Sequence, residues 1–66
     1  MILTVNGRSS QVPDATTLPA LLDTLGLKVG AVVVELNGPA LLRSVVLATV
    51  LAEGDRLELV RAVAGD

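Results

Sequence analysis

The sequence predicts an α+β domain in which one helix packs across a mixed sheet of four to five strands. Three observations carry that expectation. An Asn6-Gly7 pair sits between two short strand-like runs. A single leucine stripe at helical spacing follows, and then two further runs with strand character, Ala31 to Leu36 and Arg56 to Val60. The segment between those last two runs is long enough to serve as a crossover, which a parallel strand pair requires.

Taken in order, Met1 to Val5 alternates, with Met1, Leu3 and Val5 on one face and Ile2 and Thr4 on the other. Asn6-Gly7 suits a type I′ hairpin turn, whose two central residues both need positive φ. Arg8 to Val12 returns antiparallel, and its polar Ser9, Ser10 and Gln11 suit an edge strand. Pro13-Asp14 ends it. Leu18, Leu21, Leu22 and Leu25 fall at i, i+3, i+4 and i+7, one apolar helix face that belongs to the core. Thr17 is the expected N-cap, and Pro19 lies in the first turn, where its missing N–H costs little. Gly26 occupies the left-handed position beyond the helix, with Leu27 packing back on Leu22 in a Schellman motif.

Ala31 to Leu36 is rich in valine and reads as a strand covered on at least one face. Asn37-Gly38-Pro39 is a second turn. Ala40 to Leu42 is expected as a short strand, and Arg43 to Val50 as an irregular crossover. Val45 and Val46 belong either to the core or to an exposed apolar patch. Glu53-Gly54-Asp55 reads as a polar turn rather than a pair of catalytic carboxylates or a metal site. Arg56 to Val60 is the last strand, with Leu57 and Leu59 inward and Arg56 and Glu58 outward. The first and last strands are expected at the centre of the sheet, parallel to each other. Residues 1–61 form the domain, and Ala62 to Asp66 a slim flexible tail.

Composition narrows the function. A chain of 66 residues is one domain near the lower limit for folding without staples. It has no cysteine and no histidine. This removes disulfides, thiolate metal sites, the usual general base and the commonest metal ligand. It has no aromatic residue for base stacking, and its net charge of -2 argues further against nucleic acid. An autonomous catalyst would have only carboxylates, hydroxyls, Lys28 and the arginines at 8, 43, 56 and 61. No apolar stretch is longer than Ala31 to Val34, which is far too short to span a bilayer. No signal-peptide pattern follows Met1, so the expected location is cytoplasmic, without a membrane partner. At 52% hydrophobic before glycine is counted, the chain is unusually apolar, against about 45–50% with glycine included for typical domains. Either aliphatic residues fill a core without aromatics, or an exposed apolar docking face remains, or both hold.

The order, length and punctuation of these segments resemble the ubiquitin-like β-grasp sulfur carriers. Most similar are the thiamine-biosynthesis sulfur-carrier proteins (ThiS). The resemblance rests on Leu3-Thr4-Val5-Asn6-Gly7, Thr17-Leu18-Pro19-Ala20-Leu21-Leu22 and Val32-Val33-Val34-Glu35-Leu36-Asn37-Gly38. It continues through Leu42-Arg43-Ser44 and Leu51 to Val60, and so covers essentially the whole chain. It implies that the C-terminal carboxylate is adenylated with ATP by an E1-like (ThiF-like) adenylyltransferase and converted to a thiocarboxylate. The sulfur then passes to a ThiG-like thiazole synthase. The protein would be a cosubstrate, not an enzyme, and would bind no cofactor or metal of its own. Ala64, Gly65 and Asp66 would be the acyl tail, with small residues that thread a narrow channel. Arg43, Val60 and Arg61 are candidate partner contacts. Arg43 alternatively pins the crossover, and Arg61 alternatively ends a solvated strand.

The family ends in Gly-Gly, whereas this chain has Gly65-Asp66. Asp66 adds a Cβ and a negative charge beside the group that must meet ATP phosphates. Either Asp66 is removed before use, or the partner tolerates it, or carrier activity has been lost. Two other functions stand beside the first: a molybdopterin synthase small-subunit-like sulfur carrier, and a noncatalytic β-grasp interaction module.

Overall fold

The computed structural model describes residues 1–61; the expected tail, Ala62 to Asp66, lies outside the described residues. Four strands form one sheet: β1 (Ile2–Val5), β2 (Arg8–Gln11), β3 (Val32–Leu36) and β4 (Arg56–Arg61). Their spatial order is β2-β1-β4-β3. β1 pairs antiparallel with β2 and parallel with β4, placing Thr4 beside Arg56 and Val5 beside Leu57. β3 closes the far side of β4 antiparallel, from Val32 opposite Arg61 to Leu36 opposite Leu57. The first and last strands are therefore central and parallel, as expected.

The hairpin signal at Asn6-Gly7 forms as read, with φ of 50° and 80°. Helix α1 (Leu18–Thr24) starts where its caps require: Thr17 accepts a hydrogen bond from the Ala20 N–H at 3.2 Å. It ends in a full Schellman motif. The Leu27 N–H donates to the Leu22 carbonyl at 2.8 Å and the Gly26 N–H to that of Asp23 at 3.0 Å. Gly26 has φ +74°, a conformation a Cβ would strain. Replacing Thr17 with alanine removes the acceptor at the start of this helix. The expected loss is about 0.5–2 kcal/mol, read as a lower denaturant midpoint at unchanged slope.

The core is wholly aliphatic: Leu3, Leu18, Leu21, Leu22, Val34, Val46, Leu51 and Leu57 are buried together. No polar or charged residue is buried among the described residues. Leu25, expected to complete the helix stripe, is 48% exposed instead. The helix stops at Thr24, so Leu25 is the C-cap and its side chain leaves the face the first three leucines share.

Two further expectations are corrected. The crossover is not irregular, because Arg43–Ala48 forms a second helix, α2. β-Branched Val45 and Val46 are poor helix formers and a six-residue helix is marginal by itself. Burial of Val46 against the α1 side of the core supplies what propensity does not. The two readings of Val45 and Val46 divide between them: Val46 is core and Val45 is exposed. The short strand at Ala40 to Leu42 does not form. Only a single bridge joins Ala40 to Glu35, with the Leu41 N–H donating to the Val34 carbonyl at 2.8 Å. Pro39, lacking an N–H, cannot extend that pairing backwards.

The polar turns are structural. Asp55 accepts from the Asn37 side-chain amide at 3.0 Å and from the Ala52 N–H at 2.8 Å. Asn37 in turn accepts from the Arg56 N–H at 2.9 Å, and Glu53 accepts from the Ile2 N–H at 3.0 Å. These residues tie the start of β4 to the turn that follows β3.

Candidate functional site

Side chains alternate across a sheet, and here the alternation separates two unlike surfaces. Leu3, Val34 and Leu57 face the helices and are buried. The opposite face carries Ile2 and Thr4 from β1, Val33 and Glu35 from β3, and Arg56, Glu58 and Val60 from β4. On this open face the register puts Val33 directly opposite Val60, and Glu35 directly opposite Glu58. Val33 and Val60 are 44% and 55% exposed, an apolar pair next to the end of the last strand.

The Glu35–Glu58 pair sets like charges against each other, an arrangement that destabilises a sheet. Neither carboxylate forms an ion pair among the described residues, where the Met1 ammonium and Asp14 make the one such contact. The open face therefore offers an apolar patch beside an acidic pair that makes no direct ion pair among the described residues, with Arg56 two residues before Glu58 on the same face. It is the kind of surface that a partner with a complementary basic residue would favour.

Of the candidate site residues, Val60 and Arg61 lie at the end of β4, and both are exposed. Arg43 opens α2, also exposed, and its guanidinium lies over Gly30. A Cβ built on Gly30 would stand 3.8 Å from Arg43 Cζ. Gly30 belongs to a short 3-10 turn, Val29–Ala31, which leads directly into Val32, the partner of Arg61. The topology thus brings Arg43, Val60 and Arg61 to one end of the molecule. Arg43 does pack on the segment before β3, as the pinning alternative requires. Ala64, Gly65 and Asp66 lie outside the described residues. Val33, Glu35 and Glu58 were not singled out from the sequence, although the outward position of Glu58 was. The cross-strand register that joins them has no local sequence signal.

Elsewhere, exposed Leu42, Val45, Leu47 and Val50 surround α2, with Leu42 at 74% exposure. No group of three or more potential ligands could hold a metal ion among the described residues. Among the described residues no helix is long and apolar enough to cross a membrane.

The ThiS family model matches residues 3–65. The chain belongs to the ThiS family. A crystal structure of a thiamine biosynthesis protein (ThiS) from Geobacter metallireducens is 36% identical to this chain. It superposes with a TM-score of 0.83, with 100% of each chain covered. A solution structure of a thiamine biosynthesis protein from the same organism is 38% identical with a TM-score of 0.77, covering 100% of this chain and 88% of that one. No curated protein matches significantly. The fold is the β-grasp that the family resemblance implied, with a four-stranded sheet and a second helix added to the expected one.

Proposed function

We propose that this ThiS family member is a sulfur carrier of thiamine biosynthesis, a cosubstrate of other enzymes and not a catalyst. The observation that carries the reading is the family match itself, which runs past the end of β4 as far as residue 65. Both solved neighbours are named for thiamine biosynthesis, which favours the thiazole branch over the molybdopterin alternative. Composition agrees: without histidine or cysteine the chain lacks the usual proton-transfer and sulfur nucleophiles.

The chemistry follows from the electrophile. A carboxylate resists attack because it is anionic and has no good leaving group. In the proposed route its oxygen attacks the α-phosphorus of ATP in an E1-like, ThiF-like adenylyltransferase, expelling pyrophosphate. A sulfur nucleophile then displaces AMP from the acyl-adenylate, and the resulting thiocarboxylate delivers sulfur to a ThiG-like thiazole synthase. Ala64, Gly65 and Asp66 form the acyl tail, and the ATP is bound by the partner. The open face docks that partner, with Val60 and Val33 in the apolar centre of the contact and Glu35 and Glu58 toward a basic residue, while Arg43 and Arg61, on the helix side of the sheet, meet the partner only where it wraps around the end of β4.

Incubation with an E1-like partner, ATP and a sulfur donor tests this directly. The intact mass should show one oxygen replaced by sulfur, and fragmentation should place it on Gly65 or Asp66. An unchanged mass with tight partner binding would support the noncatalytic module instead. The same mass, taken on protein from its native cells, separates removal of Asp66 from tolerance. Replacing Val60 with aspartate puts a charge into the apolar patch. It should raise the KM for the carrier by at least about tenfold, as expected for a central interface anchor. The melting temperature should hold, because Val60 is not part of the core.

A further inference from the structure

We infer that Asn6 is a positioning residue: its side chain holds the end of β4 and so fixes where the chain leaves the sheet. This rests on the sulfur-carrier reading for its functional meaning, but the contact itself does not. β1 ends at Val5 and turns away at Asn6-Gly7, while β4 continues to Arg61. The last backbone bond given by this turn runs from the Asn6 N–H to the Leu57 carbonyl, at 2.8 Å. Two residues further, Leu59 presents its N–H and C=O to the same side, where β1 no longer runs.

The Asn6 carboxamide fills that place. Its Oδ1 accepts from the Leu59 N–H at 2.7 Å, and its Nδ2 reaches the Leu59 carbonyl at 3.4 Å. An amide side chain carries the same donor and acceptor as a peptide group. It therefore extends the ladder one step beyond the backbone of β1. The turn alone does not demand this. Its positive φ is met as well by glycine, which could not reach a residue 53 positions away.

The clamp sits two residues before Arg61, the last residue of β4. A reactive end group that must meet one atom in another protein's catalyst depends on the direction in which its support points. Small errors of placement are expensive in rate. Both hydrogen bonds of the clamp go to Leu59, whereas Val60 is held by its pairing with Val33 on β3. Loss of the clamp should therefore lower turnover and leave docking intact.

Two variants test this. Asn6→Gly keeps the turn conformation and removes the clamp, and Asn6→Asp keeps an acceptor for the Leu59 N–H. Three readouts apply: amide exchange at Leu59, thermal melting, and kcat and KM for thiocarboxylate formation by the E1-like partner. In Asn6→Gly, Leu59 exchange should accelerate at least about tenfold. kcat should fall about fivefold or more, with KM within about twofold. Asn6→Asp should restore most of both. Unchanged Leu59 exchange in Asn6→Gly would show that there is no clamp. Released Leu59 with full kcat would show that the clamp positions nothing. Loss of kcat and KM together, in step with lowered melting, would reduce Asn6 to a stabilising residue. A wild-type chain that accepts no sulfur would overturn the carrier reading and the positioning role with it, whereas the exchange result would still report on the contact.

Discussion

Replacing Leu22 with alanine is expected to leave little folded protein at physiological temperature. Leu22 is 0% exposed and packs at the centre of the only aliphatic cluster among the described residues. Leu→Ala at such a site costs about 2–5 kcal/mol, the transfer free energy of the lost methyls plus the cavity. A domain of this length has a total stability of roughly 3–10 kcal/mol. One substitution can therefore consume most of it. No aromatic ring or polar network is present in this core to compensate, and the leucines and valines around the cavity are stiff enough to collapse into it only partly. Chemical denaturation at unchanged slope measures the loss. A near-neutral result would mean that the buried face of α1 is not the core.

Removing Gly65 and Asp66 should do the reverse: abolish sulfur loading while leaving stability unchanged. Every buried residue of the core lies at or before Leu57, and β4 ends at Arg61. The deletion therefore removes no core contact among the described residues. It does remove the acyl carbon that the proposed adenylation uses. Intact mass after incubation with the E1-like partner, ATP and a sulfur donor should show no sulfur, at a melting temperature equal to that of the wild type. Deleting Asp66 alone separates its proposed fates, because a terminal Gly65 should load at least as fast as the full chain if Asp66 is normally removed. A marked drop in melting for the double deletion would mean that these residues belong to the folded body.

Much of this fold could be read along the chain because its signals are local. The Asn6-Gly7 turn, the Thr17 cap, and the Gly26 stop each depend on residues within a few positions of one another. So does the inward alternation of Leu57 and Leu59. The misreadings share a different cause. α2 contains Val45 and Val46, whose local preference opposes a helix, and only burial of Val46 against distant residues resolves it. Leu25 fits the helical period but falls one residue past a helix whose end is set by Gly26. The candidate tail comes from the family resemblance and lies outside the described residues, and Val60 and Arg61 are exposed at the last strand, where the sequence puts them. The site was not legible in the facing of Glu35 and Glu58, or in the reach of Asn6 to Leu59. Those contacts join segments that only the finished sheet brings together.

The position of β4 bears on when this molecule first becomes itself. The last of the four described strands along the chain lies in the middle of the sheet, between β1 and β3. Before β4 joins, the β1–β2 hairpin and β3 share no strand-to-strand seam. Closure of the sheet thus waits for β4, and its long-range pairing makes folding slow relative to a helical domain of equal size.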